Sequence, residues 1–515
     1  MRRRWIHVFS ICLMAVALLA GCSGNAQPDK QPDKDAAATQ AVEEKREKLK
    51  VSMLIPSYSG GGWPDNKHPT IQYLNDKFDL ELDIQWIPGP NYIEKLNVLA
   101  ASGKLPDVYR SGSDIYEKWQ NEGAFLDIAP YLDQYPNLVK AFPEELWSLK
   151  NPKSHIYGIP YGGPPNPASY IVRRDWLDHL GIPVPDPDTF TVDEFYRIAK
   201  AFALDDPDQD GKNNTLGFSF GGFGGEAPLR YAFGLSPGWQ ELDGKLIPYQ
   251  VQSEEMKEYL TFLNKAYTEG VLDKDFPLNK GNELQEKISS GKLGLAHDIP
   301  IATVTNEKKL KTLDPDAEFV QLAPPIGPTG IQLNDTREFT EKILLNAEMN
   351  DEKRTRLLEM FDWWVTDEGT DIIKNGPPGV YYTDKGDGTY EATEAAISEG
   401  NRVAILNNWF FRRIAFDHDV FKWDSEAYKE RIITQFENGS KYAAPYDPAV
   451  GLTHLSPTYA KTITEINKAY EQVVFKIIIG EKPVDEIEAA IDAWNKNGGQ
   501  KIIQEVNDAY QAMKK

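Results

Sequence analysis

From Leu49 onward the chain alternates between two hydrophobic periods. Runs such as "KVSMLIPS" and "LELDIQWIP" are short and apolar and predict strands, whereas "YIEKLNVLAASG" repeats its apolar positions at helical spacing. The alternation continues through "PDVYRSG", "IYGIPYGG" and "SYIVRRDWLDHLG". Strands alternating with helices predict a mainly parallel sheet covered by helices on both faces. Further along the pattern becomes helical, in "SEEMKEYLTFLNKAYTEG", "DEKRTRLLEMFDWWVTDEGTDIIKNG" and the C-terminal "TYAKTITEINKAYEQVVFKIIIG" and "VDEIEAAIDAWNKNGGQKIIQEVNDAYQAM". Trp363 and Trp364 fall inside such a helical pattern and are read as packing. Two Pro/Gly-rich breaks, "GIPYGGPPNP" and "QLAPPIGPTG", suit neither helix nor sheet interiors and are expected to carry the chain between lobes. At 515 residues the chain has room for two or more lobes rather than one core.

Before Leu49 the pattern differs. Arg2, Arg3 and Arg4 precede an apolar stretch, Ile11 to Leu19, that is too short for a typical membrane span. "LAGC" follows, and it resembles the lipobox of bacterial lipoproteins, in which the cysteine takes a diacylglyceryl group and becomes the new N-terminus. The expectation is a signal peptide over 1–21, lipidation at Cys22, and a polar tether over 22–48 with no aromatic residue and too little apolar area to fold. The alternative is an uncleaved anchor. Cys12 and Cys22 are the only cysteines, so a chain cut before Cys22 has neither a disulfide nor a thiol catalyst. Charge sharpens this picture. The formal net charge of −22 becomes −25 once the three arginines are removed. Such a surface lacks the basic footprint that nucleic acid needs.

The most chemically pointed stretch is "DDPDQDGKNNTLGFSF", Asp205 to Phe220. It hangs from a predicted helix that begins with Thr191 and Glu194 at capping-box spacing and buries Val192, Phe195, Ile198 and Phe202 on one face. Counted from Asp206, calcium-loop positions 1, 3, 5 and 9 are Asp206, Asp208, Asp210 and Asn214. Gly211 stands at the sharp turn and Lys212 offers its carbonyl. Position 12 is Gly217 instead of a bidentate Glu, and "TLGFSF" reads as a strand. The segment therefore cannot open like a two-helix calcium sensor. A structural Ca2+, completed by Thr215 or water, is expected; an empty Asx-rich turn is the alternative.

Other motifs weaken on inspection. Gly217 to Gly221 matches Gly-x-Ser-x-Gly, but no helix can start in the "GGFGGE" that follows, as a nucleophile elbow requires. The seven histidines show no zinc spacing, and Asp417-His418-Asp419 reads as a solvated turn. Aromatic residues in loops stand out more. Tyr58 and Trp63 follow the first strand, where doubly wound sheets place ligands, and Arg110 follows the strand "DVY". Tyr161 sits in a crossing, Phe223 in the glycine loop, His297 and Asp298 at the end of an apolar run, and Trp409 and Arg412 in "NNWFFRR". Flat rings beside amide, carboxylate and guanidinium groups suit a sugar, with its apolar C–H faces and hydroxyl rim.

The order and spacing of "ASGKLPDVYRSGSD", "NEGAFLDIAPYLDQYPN", "YIVRRDWLDHLGI", "KAFALDDPDQDGKNNTLGFS", "YTEGVLDKDF", "SSGKLGLAHDIP" and "FDWWVTDEGTDIIKNG" resemble the extracellular solute-binding proteins of ABC transporters. The likeness is to the maltose-binding group, in its LipO-like lipoprotein branch with alginate-binding relatives. The resemblance implies a type II periplasmic-binding fold with two α/β lobes, 49–162 with 326–372 and 163–325 with 373–515, closing by a hinge on a ligand between them. It also implies that the Asp206 loop holds the metal and that the aromatic positions above line the cleft. The expected function is a monomeric, lipid-anchored, extracytoplasmic receptor that binds an oligosaccharide and meets ABC permease subunits. An exported glycan-processing enzyme and a peptide or signal receptor are the rivals.

Overall fold

A computed structural model describes residues 46–514 apart from 58–64, 112–118, 121, 149–154, 162–167, 222–226, 280, 335–340, 407–419 and 446. The chain divides into an N-terminal unit, Met1–Arg46, and a body, Glu47–Lys515. Two main sheets organise the body. The first is built from β1 (Leu49–Ser57), β2 (Leu80–Pro88), β3 (Val108–Ser111), β4 (Ile159–Pro160) and, from much later in the chain, β11 (Lys342–Leu345). The second uses β5 (Ser169–Arg173), β6 (Leu216–Phe218), β9 (Leu293–Asp298) and β10 (Phe319–Leu322). Two hairpins stand apart, β7 (Trp239–Leu242) with β8 (Lys245–Pro248), and β12 (Tyr382–Asp384) with β13 (Tyr390–Ala392).

The strand orders are β2-β1-β3-β11-β4 and β10-β5-β9-β6. β1 runs parallel to β2 and β3, and β6 parallel to β9, but β11 is antiparallel to β3 and β4, and β5 to β9 and β10. Alternation alone predicts mainly parallel sheets; both are mixed. The reason is that the chain changes sheet between β4 and β5 and again between β10 and β11. A strand arriving from the other sheet is free of the same-side return that a helical crossover imposes. β11 enters between β3 and β4 in this way, and the Pro/Gly-rich breaks fall in these two passages.

Side-chain alternation explains the two faces of the first sheet. Val51, Met53 and Ile55 point to one side with Leu80, Leu82 and Ile84, under helices Pro69–Lys77 and Asp351–Trp364. Leu54, Tyr109 and Leu344 point to the other, against Tyr92 and Leu96 of helix Gly89–Ala101. Trp364 joins the first of these cores, while Trp363 stacks on Tyr73 and meets Phe78 edge-on. Across the second sheet, Tyr170 and Val172 meet Phe195, Ile198 and Phe202 of helix Val192–Leu204, and the same core extends into the C-terminal helices through Val474, Ile487 and Val506. Thr191 caps that first helix by accepting the Glu194 N–H at 3.2 Å, a contact worth about 1 kcal/mol. Among the described residues no helix is long and apolar enough to cross a membrane.

Candidate functional site

Arg110 lies on β3 and is almost wholly buried. Its Nε is 3.0 Å from Glu341 Oε2, and its guanidinium carbon is 4.3 Å from the centre of the Tyr161 ring. The Tyr161 N–H donates in turn to the backbone carbonyl of Glu341 at 3.0 Å. Two predicted ligand residues are thus brought into contact with each other. They meet where the chain leaves the first sheet past β4 and re-enters it before β11. The backbone of Arg110 is held as well: its carbonyl accepts the Tyr92 hydroxyl at 2.8 Å and its N–H donates to the same oxygen at 2.9 Å.

His297 and Asp298 end β9. The His297 ring lies 5.5 Å from Tyr170, its cross-strand neighbour. Asp298 accepts from the Ile299 N–H at 2.9 Å, from Gln285 at 3.1 Å and, through its other oxygen, from Asn306 at 3.1 Å. The carboxylate therefore ties the end of β9 to helix Pro300–Leu310 through Asn306. A neighbouring polar cluster has no counterpart in the sequence reading. Ser219, the serine of the Gly-x-Ser-x-Gly match, donates to Asp273 at 2.7 Å and accepts from Asn279 at 2.8 Å. Lys287 reaches the same Asp273 oxygen at 2.6 Å and Asn279 at 2.9 Å. Burial alone would raise the Asp273 carboxyl, but the bonds from Lys287, Asn279 and Ser219 outweigh it and hold the pKa below the usual range. A strand precedes Ser219, but among the described residues the next helix starts at Ala227, and the hydroxyl proton goes to a carboxylate that already holds a lysine. This is bonding for a fixed loop base rather than for a nucleophile elbow. Periodicity does not reveal such a network, because each member is a single polar residue inside an apolar run.

The metal loop has its own geometry. Asp206, Asp208 and Asp210 each bring a carboxylate oxygen within 4.8 Å of the others. Asp206 and Gln209 adopt left-handed backbone at φ 48° and 56°, and Gly211 makes the turn at φ 77°. Gly211 N–H donates to Asp206 at 3.1 Å, while Asp210 takes the Lys212 N–H at 2.7 Å and the Asn214 amide at 3.0 Å. Thr215 donates its hydroxyl to the Phe202 carbonyl at 2.7 Å, tying β6 to the helix end, and His179 Nδ1 donates to Pro207 O at 2.9 Å. One oxygen each of Asp206 and Asp208 is buried without a hydrogen-bond partner among the described residues. Burial, and then the adjoining Asp206, push the Asp208 carboxyl up. Converging carboxylates with unmatched oxygens fit a hard divalent cation, which removes the repulsion that otherwise favours a shared proton. The missing position-12 Glu also has a steric cause. A Cβ at Gly217 would fall 2.4 Å from Ala199 O and 2.5 Å from Val271 O, so no side chain fits there.

Tyr58, Trp63, Phe223, Trp409, Arg412 and Cys22 lie outside the described residues.

With two mixed sheets joined by two passages, the fold is the type II two-lobed architecture of solute-binding proteins. Residues 64–330, just over half of the chain, match the family of bacterial extracellular solute-binding proteins, and the chain belongs to it. Among its relatives is lipoprotein LipO of Bacillus subtilis (strain 168), 25% identical over all of this chain and 99% of LipO. The polygalacturonan/rhamnogalacturonan-binding protein YtcQ of the same organism is also 25% identical, over the whole of both chains. Among solved structures, the alginate-binding protein AlgQ2 without calcium ion superposes with a TM-score of 0.70 at 20% identity, covering 90% of this chain and 98% of AlgQ2.

Proposed function

We propose that this protein is the lipid-anchored receptor of an ABC importer, and that its lobes close by a hinge on an oligosaccharide. The observation that carries the reading is the end-to-end similarity to YtcQ, a protein named for binding polygalacturonan and rhamnogalacturonan. AlgQ2, named for alginate, supports the same ligand class. Closure stabilises the bound state only for a ligand that touches both lobes. In this reading the lobes comprise 49–162 with 326–372 and 163–325 with 373–515, and the cleft is lined from Tyr58, Trp63, Phe223, His297, Trp409 and Arg412. Arg110, Tyr161 and Asp298 belong to the same lining. The Asp206 loop carries a structural Ca2+ on Asp206, Asp208, Asp210, Asn214, the Lys212 carbonyl and either Thr215 or water. Cys22 carries the lipid on the extracytoplasmic face, and the monomer presents its closed form to the permease subunits.

Titration of the purified chain with an oligosaccharide panel tests this. Saturable quenching of tryptophan fluorescence without any product is the expected result. Release of shorter sugars points to a glycan-processing enzyme instead, and tight binding of peptides with no response to sugars overturns the ligand class.

A further inference from the structure

Where the β7–β8 hairpin meets the C-terminal helices, the protein carries a half-open pocket of about 200 Å³. Four aromatic residues line it: Trp239 at the start of β7, Tyr249 just past β8, Tyr459 on helix Pro457–Ile478, and Trp494 at the end of helix Glu486–Trp494. Tyr459 and Asn467 stand two helical repeats apart on one face, which brings both to the same space. Trp239 and Trp494, at 7% and 2% exposure, also pack into the core of the second sheet.

Its polar groups are placed by specific contacts. Asp447 accepts the Ala449 N–H on Oδ1 at 2.8 Å. Its other oxygen packs against Gly238, where an added Cβ would lie only 2.0 Å away. The carboxylate reaches the cavity because residue 238 has no side chain. Burial pushes its pKa up, against hydrogen bonds from the backbone N–H groups of Ala449 and Trp239. Asn467 accepts the Trp494 Nε1–H on Oδ1 at 2.8 Å, so its amide has N–H donors left to offer a ligand.

Size and chemistry narrow the occupant. The volume exceeds several times the roughly 30 Å³ of one water, yet falls short of the roughly 300–1,000 Å³ of drug-sized sites. One small ring fits, and a chain does not. Aromatic faces suit the apolar C–H faces of a sugar ring, a carboxylate accepts from hydroxyls, and an amide N–H donates to them. A small organic cation also suits rings beside a carboxylate. It would meet the Asn467 donors, however, and the guanidinium of Arg230 already lies 4.3 Å over the Tyr249 ring. A uronate would set a second negative charge against Asp447.

We propose that this cavity binds a single neutral pyranose ring, at a site separate from the cleft between the lobes. Soaking crystals of the whole chain with glucose, galactose and mannose, with glucuronate and choline as controls, locates the ligand directly. Difference density for a neutral hexose between Trp239 and Tyr459 is expected, with millimolar affinity by calorimetry. Asp447→Asn should weaken that affinity about tenfold, which is about 1.4 kcal/mol, and leave oligosaccharide binding at the cleft unchanged. Ordered water only, choline in place of a hexose, or a folded Asp447→Asn variant with unchanged hexose affinity each overturns the proposal. If Asp447→Asn does not fold, Gly238→Ala serves as the second variant, since its methyl displaces the same carboxylate. Because the soak reports position, a cleft that binds no sugar leaves this test intact.

Discussion

Arg431 holds Glu307 with both arms of its guanidinium, at 2.8 and 2.7 Å, and so fastens helix Glu426–Ser440 to helix Pro300–Leu310. The Phe319 N–H adds a third bond at 2.8 Å. Burial by itself would raise the Glu307 carboxyl, but Arg431, Phe319 and Lys311 outweigh it and bring the pKa down to about 2, against 4.5 for a free glutamate. A carboxyl depressed on folding stabilises the protein above its unfolded pKa, and that contribution is lost as the pH falls from about 4.5 toward 2. Glu307→Gln leaves Arg431 without its anion and should cost about 3 kcal/mol at neutral pH. Urea denaturation checks this. The gap between wild type and variant should narrow steadily as the pH drops below 4.5.

A second titration runs through His68. Its Nδ1 accepts the Thr70 N–H at 3.3 Å and caps helix Pro69–Lys77, so the neutral ring carries its proton on Nε2. Nε2 lies 3.1 Å from the Tyr381 hydroxyl and 3.3 Å from Glu399. Burial lowers the His68 pKa below 6.5, only partly opposed by Glu399 and Asp65 and reinforced by Arg402. The unfolded chain therefore takes up a proton at a pH where the folded chain does not, and stability is lost as the pH falls below 6.5. His68→Asn keeps a side-chain acceptor at the cap and removes the titration. The variant should melt close to wild type at neutral pH and lose less stability as the pH falls below 6.5. An unchanged slope between the two proteins would reject the assignment.

How far the sequence disclosed this molecule depended on the range of the interactions. Strand β1, the Thr191-capped helix and the Asp206 loop are written in runs of neighbouring residues, and periodicity or spacing exposes them. The antiparallel partners of β11 depend on a segment returning from the other sheet, which no local pattern records. Single polar residues proved hardest. Ser219, Asp273, Asn279 and Lys287 meet across 69 positions of the chain, and Arg110 finds Glu341 across a longer span. Gly217 was visible as a missing ligand, but its reason, the carbonyls of Ala199 and Val271, exists only in three dimensions.

The Asp206 loop yields a prediction with two opposing signs. Three carboxylates in one small space repel unless a cation or proton joins them. Chelation should therefore lower the melting temperature, and added Ca2+ should restore it. Asp208→Asn removes one charge, so it should melt at or above the chelated wild type while losing its response to Ca2+. Ligand affinity should stay as it was, because the loop fixes a helix end to β6. A wild-type melt indifferent to chelator would identify an empty turn.

The last prediction concerns the two passages between the sheets. Tyr161 leads out of β4 and Glu341 leads into β11, and Arg110 touches both, stacked on one and ion-paired to the other. Its planar guanidinium therefore clamps both passages to the first sheet. Arg110→Lys keeps a charge for Glu341 but has no plane to lay on the Tyr161 ring. If the passages act as the hinge, loosening them should change the equilibrium between open and closed lobes more than it changes folding. Affinity for the proposed oligosaccharide should fall about tenfold, or about 1.4 kcal/mol, while the melting temperature without ligand moves by only a few degrees. Calorimetric titration beside a thermal melt separates the two effects. A large drop in melting temperature with unchanged affinity would make Arg110 a core residue of the first lobe and nothing more.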